Sequence, residues 1–190
     1  SNATVNAGPA STVLCNTLIA NLNGSIGGSA TSGTWTTSGT GNFNNANALN
    51  AVYTLSSADS LAGTVTLTLI TDDPAGTCGA VSDQITLFYN PDAIANAGFD
   101  QCASATVIVS GSISGYAANP LWTTLGSGTF VNANSYATTY NASGADLSAG
   151  FVNLVLTPID PNGNCTFTSD TVKIWFDPQY FVNAGIDQTI

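Results

Sequence analysis

Asn96-Ala97-Gly98-Phe99-Asp100-Gln101 recurs as Asn183-Ala184-Gly185-Ile186-Asp187-Gln188 and, shortened, as Asn6-Ala7-Gly8-Pro9. Each copy opens a module. The chain therefore reads as one full repeat, a second full repeat and the start of a third. From the first cysteine of each module to the next opener the match needs no gap. Cys15 and Cys102 lie 87 residues apart, and so do Cys78 and Cys165, Trp35 and Trp122, Tyr53 and Tyr140, Asp59 and Asp146, and Asp83 and Asp170. Only the stretch before Cys15 differs, by three extra residues relative to its counterpart. A fixed period of this length marks tandem duplication of a folding unit. The division expected is residues 4–93 for module 1, 94–180 for module 2 and 181–190 for the start of a third repeat. Residues 1–3 read as a scar of tag cleavage and are set aside. An ending inside a third opener is expected of a piece of a longer array.

Composition narrows what such a unit can do. Of 190 residues, one is basic (Lys173), eleven are acidic and all of these are Asp; His, Glu, Arg and Met are missing. A net charge of −10 leaves almost nothing to neutralise phosphates, which argues against nucleic acid and against an anionic membrane surface. No apolar run approaches the ~20 residues of a spanning helix. Thr, Ser, Asn, Ala and Gly dominate, a β-rich, secreted type of composition.

The hydrophobic pattern has period two. Val65, Leu67 and Leu69 alternate with Thr64, Thr66 and Thr68; Ile85, Leu87 and Tyr89 alternate with Gln84, Thr86 and Phe88. Module 2 repeats this with Val152, Leu154 and Leu156, then Val172, Ile174 and Phe176. Ser57-Ala58-Asp59 reads as a capped helical turn ended by Gly63. Six or seven short strands per module, separated by turn signals, predict two tandem immunoglobulin-like antiparallel β-sandwich modules, an all-β chain. Trp35 and Trp122 belong to the cores.

The four cysteines are expected to form structural disulfides, since the spacings are long and lack a CxxC or His. In a seven-strand sandwich, the point where the chain enters and the loop between the last two strands share one end. That predicts Cys15–Cys78 and Cys102–Cys165, and disulfides place the protein outside the cytoplasm.

The opener, the Trp-Thr-Thr segments, the Ser-x-Ala-Asp-x-x-Ala-Gly turn and the Asp-Pro-x-Gly-x-Cys…Ser-Asp run resemble tandem PKD/Ig-like repeats. Such repeats occur in large cell-surface proteins of Bacteroidetes-type bacteria, including gliding-motility adhesins. The resemblance covers both full modules. It implies a non-enzymatic extracellular repeat segment, a stalk or adhesion surface, whose partners are neighbouring repeats and, beyond them, surface glycans or other cells. A monomer without membrane insertion is expected.

Catalysis lacks its usual parts. With no His or Glu, and Lys173 on an outward strand position, no Ser or Thr has an activating partner. No cofactor is expected, with calcium as the candidate exception: Asp72, Asp73 and Asp160 lie in the hairpin loops, Asp100 in the opener and Asp92 at the junction. Asp100, Asp160 and Asp92 are the candidate ligands, being hard oxygen donors. Trp175 and Phe88 fall on the polar parity of the last strand and should point outward. Rings there could stack on sugars, which makes a carbohydrate-binding module the alternative reading. The junction stretches Ala93-Ile94-Ala95 and Tyr180-Phe181-Val182 are apolar, unlike a flexible linker. They are expected to pack against a module and make the array a rod of limited bending.

Overall fold

The computed structural model describes residues 2–72, 79–160 and 165–176. The chain divides into two compact units, Ser1–Asp92 and Ala93–Ile190.

Unit 1 runs β1 (Thr4–Asn6), β2 (Ser11–Cys15), β3 (Ile19–Asn21), β4 (Ser25–Gly27), β5 (Gly33–Thr37), β6 (Asn42–Phe43), β7 (Val52–Thr54), α1 (Ser57–Ala62), β8 (Thr64–Thr71) and β9 (Ser82–Asn90). One sheet has the order β2-β9-β8-β5 and a second the order β3-β7-β6, while β1 pairs with β4. All these pairings are antiparallel except β2 with β9, which is parallel. The period-two pattern sets the faces. Val65, Leu67 and Leu69 of β8 and Ile85 and Leu87 of β9 are buried against Trp35, Ala20, Tyr53 and Leu55 in one core. The intervening threonines of β8 point away, as alternation on a pleated strand requires. Ala3, set aside with the first residues, is also buried.

Unit 2 repeats the plan: β10 (Ala93–Asn96), β11 (Gln101–Ala103), β12 (Thr106–Ser110), β13 (Ser112–Ser114), β14 (Asn119–Thr124), β15 (Thr129–Phe130), β16 (Ala137–Asn141), α2 (Gly144–Ala149), β17 (Phe151–Ile159), β18 (Phe167–Thr168) and β19 (Asp170–Phe176). Its sheets are ordered β11-β19-β17-β14, β12-β16-β15 and β13-β10-β18. Trp122, Tyr140, Leu154, Leu156, Val172 and Ile174 fill the core. The apolar stretch Ala93-Ile94-Ala95 is not a linker. It belongs to β10, which pairs antiparallel with β13 and parallel with β18 and buries Ala93 and Ala95. Residues 180–182 lie outside the described residues.

Of the disulfides expected within the two modules, the one in unit 2 is not formed. Cys15 is not where the chain enters; it is the last residue of β2 and sits opposite Asn90, the last residue of β9. The connection carrying Cys78 leads into the other end of β9, at Ser82. Cys78 itself lies outside the described residues. In unit 2, Cys102 sits opposite Trp175, near the end of β19. Cys102 is an exposed free thiol, while Cys15 and Cys165 are each in a disulfide. The expected Cys102–Cys165 bridge is therefore not formed. The parallel first strand is the cause, because it carries its cysteine away from the hairpin loop.

Candidate functional site

The opener is the first polar constellation the repeat conserves between its two copies. The Asn6 side chain accepts a hydrogen bond from the Gly8 N–H at 2.7 Å, and Asn96 does the same for Gly98 at 2.9 Å. This local turn is what Asn offers a backbone. Both glycines have positive φ, 107° and 86°, a region that L side chains avoid. Between them Ala7 and Ala97 are buried, and their N–H groups donate to Asp83 and Asp170 of the last strand, both at 2.8 Å. Asn-Ala-Gly at one end and Asp at the other thus form a clasp closing each module.

The second constellation centres on a buried carboxylate. Ser56 caps α1 by accepting from the Asp59 N–H, and Asp59 accepts in return from the Ser56 N–H. This is a capping box with Asp in the place usually held by Glu. The same carboxylate accepts from the N–H groups of Thr40 (2.8 Å) and Gly41 (2.9 Å) and from the Tyr53 hydroxyl (2.7 Å). The Tyr53 oxygen in turn accepts from Gly41 N–H at 3.0 Å. Unit 2 reproduces the arrangement, with Asp146 accepting from Ser127 N–H (3.0 Å), Ser143 N–H (3.0 Å) and the Tyr140 hydroxyl (2.8 Å). A Cβ at Gly39 or Gly126 would run into the Asp59 or Asp146 carboxylate, which explains these loop glycines. Burial works against the charge on Asp59, but the Thr40 N–H, the Tyr53 phenol and the Ser56 and Gly41 N–H groups outweigh it. The carboxyl is held below its ordinary value of 3.8. Asp146 is lowered in the same way, its burial outweighed chiefly by Ser143, Ser127 and Tyr140. Burial, with the neighbouring carboxylate, pushes the Tyr53 and Tyr140 phenols above 10.0.

The candidate calcium ligands are dispersed. Asp92 accepts from the Asn16 side chain at 3.2 Å, alongside the left-handed backbone of Asn16 (φ 49°). Asp100 accepts from the Lys173 N–H at 2.8 Å, and Asp160 from the Cys165 N–H at 2.9 Å. By strand register Asp100 lies beside Lys173, in the middle of β19, while Asp160 follows the last residue of β17. That puts roughly 20 Å of sheet between them. Among the described residues no three acidic or other ligand-type side chains gather into a metal-sized group. Asp72 caps a turn, accepting from Thr31 N–H, Thr31 hydroxyl and Ser32 N–H. Asp73 lies outside the described residues.

Trp175 and Phe88 do point outward, 44% and 38% exposed. Trp175 has company. Register sets it opposite Phe151 on β17 and opposite Cys102 on β11, so the three form one row across the sheet. The Trp175 and Phe151 rings are 5.7 Å apart, and Lys173 Nζ lies 3.8 Å from the Trp175 ring and 4.1 Å from Phe151. In unit 1 the counterparts are Phe88 opposite Thr64, with Thr86 in place of the lysine. Sequence reasoning overlooked Phe151 and the Lys173 contact. For Phe151 the signal was cross-strand distance in a hairpin, which no linear spacing displays, whereas Lys173 lies two residues before Trp175 on the same strand and face.

No protein-family model and no curated protein sequence matches the chain. Solved structures do. An I-band fragment I67-I69 from titin is 12% identical, with a TM-score of 0.56 over 93% of this chain and 66% of its own length. Rst D1-D2 is 10% identical, with a TM-score of 0.56 over 93% of this chain and all of its own. At such identities the likeness concerns fold alone. With the sheet order and parallel first strand of each unit, it makes this chain two tandem immunoglobulin-like β-sandwich modules.

Proposed function

We propose that the chain is a non-enzymatic, extracellular repeat segment of a large bacterial surface protein, serving as a stalk or adhesion surface. The observation that carries this is the duplicated pair of clasps. In both units the repeated Asp side chains, Asp59 and Asp83 and their counterparts Asp146 and Asp170, are engaged in bonds that hold the module itself. What duplication kept at these positions is scaffold chemistry. The disulfide bonding of Cys15 and Cys165 fits an oxidising compartment. Neighbouring repeats are the natural partners, and the chain needs no cofactor for this role. The test is a melting series with mono- and oligosaccharides, together with turnover assays on chromogenic glycosides and esters. No shift and no turnover are expected; hydrolysis above background would overturn the reading.

One feature favours a second reading. The Trp175–Phe151 pair with Lys173 is present in unit 2 and lacks a counterpart in unit 1, so it is not required by the shared scaffold. Exposed rings of this kind stack on sugar faces, which would make unit 2 a carbohydrate-binding module. Glycan-array binding that disappears in Trp175→Ala would establish it. Binding that survives the substitution would remove this site from consideration.

A further inference from the structure

Cys102 is the residue the described fold leaves chemically incomplete. Its counterpart one period earlier, Cys15, lies on the equivalent first strand and is in a disulfide, whereas Cys102 is free and exposed. Both strands run parallel to the last strand of their sheet, which sets Cys15 opposite Asn90 and Cys102 opposite Trp175, each near the end of that strand. Cys102 is exposed beside Trp175, one residue before Phe176, the last residue of β19.

From the bonded counterpart and this position near the end of β19, we infer that Cys102 is a covalent attachment point for a further repeat of the same fold. Its partner is a cysteine of the repeat that follows in the chain. The inference rests on the repeat-array reading above. The reaction joins two thiols into one disulfide. Cys102 as thiolate attacks a disulfide-bearing oxidant, and the partner thiolate then displaces the reduced carrier. The two electrons and two protons end on the two sulfurs of that oxidant, which leave as thiols.

The experiment compares two chains oxidised with a glutathione disulfide buffer, alkylated without reduction and mapped by peptide mass spectrometry. One is the 190-residue chain. The other is lengthened by a further copy of the second repeat, appended in frame. In the first, Cys102 is expected to be alkylated or capped by glutathione. In the second, it is expected in a disulfide with a cysteine of the appended repeat, its alkylation falling at least tenfold, while Cys102→Ser leaves that cysteine alkylated. A Cys102 equally alkylated in both chains would overturn the inference, as would a Cys102–Cys165 peptide in either. A disulfide-linked dimer formed through Cys102 by the longer chain would also overturn it, because the partner would then be a second molecule. Hydrogen exchange on the lengthened chain separates failure of the inference from failure of the array. An appended copy that is protected but unbonded counts against Cys102 alone, and one that stays unprotected counts against the repeat as a folding unit.

Discussion

In unit 1 the first strand of the four-stranded sheet, β2, runs for five residues and sets Leu14 against Tyr89. In unit 2 the corresponding β11 runs for three, and Gln101, the counterpart of Leu14, sits against Ile174, the counterpart of Leu87. The register differs by two residues, an even shift that keeps every side chain on its original face. A compensating bond goes with it. The Thr86 N–H in unit 1 donates to the carbonyl of Ala10, the residue just before β2. Its counterpart in unit 2, the Lys173 N–H, donates to the Asp100 carboxylate. Unit 1 has Val13 at that place and three extra residues before Cys15. An edge strand can therefore drift after duplication provided a neighbour still satisfies the exposed N–H. The buried clasps around Asp59 and Asp146 have not drifted, since any unpaired donor there costs the desolvation of that group.

The largest expected effect tests the conserved side of this contrast. Asp59→Ala and Asp146→Ala should each destabilise their own unit by about 3 kcal/mol or more, leaving a buried phenol and several N–H groups unpaired. Urea unfolding followed by hydrogen exchange, which reports each unit separately, should give similar losses. A loss confined to one unit would break the equivalence.

The same carboxylates set an acid limit. Their folded pKa lies below the ordinary 3.8, so their contribution is fully present above that value and is lost as pH falls through the lowered one. The Tyr53 and Tyr140 phenols are raised, so theirs is present below pH 10.0 and lost as pH rises through the raised value. Melting temperature against pH should fall off at both edges. In Asp59→Asn combined with Asp146→Asn the acid edge should flatten, and an unchanged edge would assign acid unfolding to other groups.

Tyr53→Phe and Tyr140→Phe should cost about 1–2 kcal/mol each, by removing the hydroxyl that links the carboxylate to the Gly41 or Gly128 N–H. A neutral outcome would mean that the carboxylate is held by backbone N–H groups alone.

Asp100→Ala should cost unit 2 about 1 kcal/mol and speed exchange of the Lys173 amide, with no change in unit 1. An amide that remains protected would show that β11 can slide to the unit 1 register. The smallest effect is expected from chelation: with Asp100 and Asp160 far apart along the sheet, added EDTA should leave the melting midpoint unchanged. A drop in midpoint would reinstate calcium.

Much of the fold was legible before any coordinates. The alternation in Val65-Thr66-Leu67-Thr68-Leu69 specifies which face is buried, and Ser56-x-x-Asp59 with Gly63 marks both ends of α1. Trp35 and Trp122 were readable as core from size and position. The absence of the Cys102–Cys165 bridge was not readable, because it depends on whether β11 runs with or against β19. The two arrangements use the same residues and the same alternation.

By itself, the sequence determined the period, the strand faces, the helix caps and the glycines of the opener, because each follows from local geometry and a side chain's preference for water or core. Only the tertiary structure decided that Asp59 reaches back to the Thr40 and Gly41 N–H groups, that Asp83 closes on Ala7, and that Trp175 meets Phe151 and Lys173. It also decided that Cys102 stands free. Apart from Trp175 with Lys173, these contacts join residues well separated in the chain, and their partners are chosen by sheet order and register, which alternating hydrophobicity leaves open by any even number of residues.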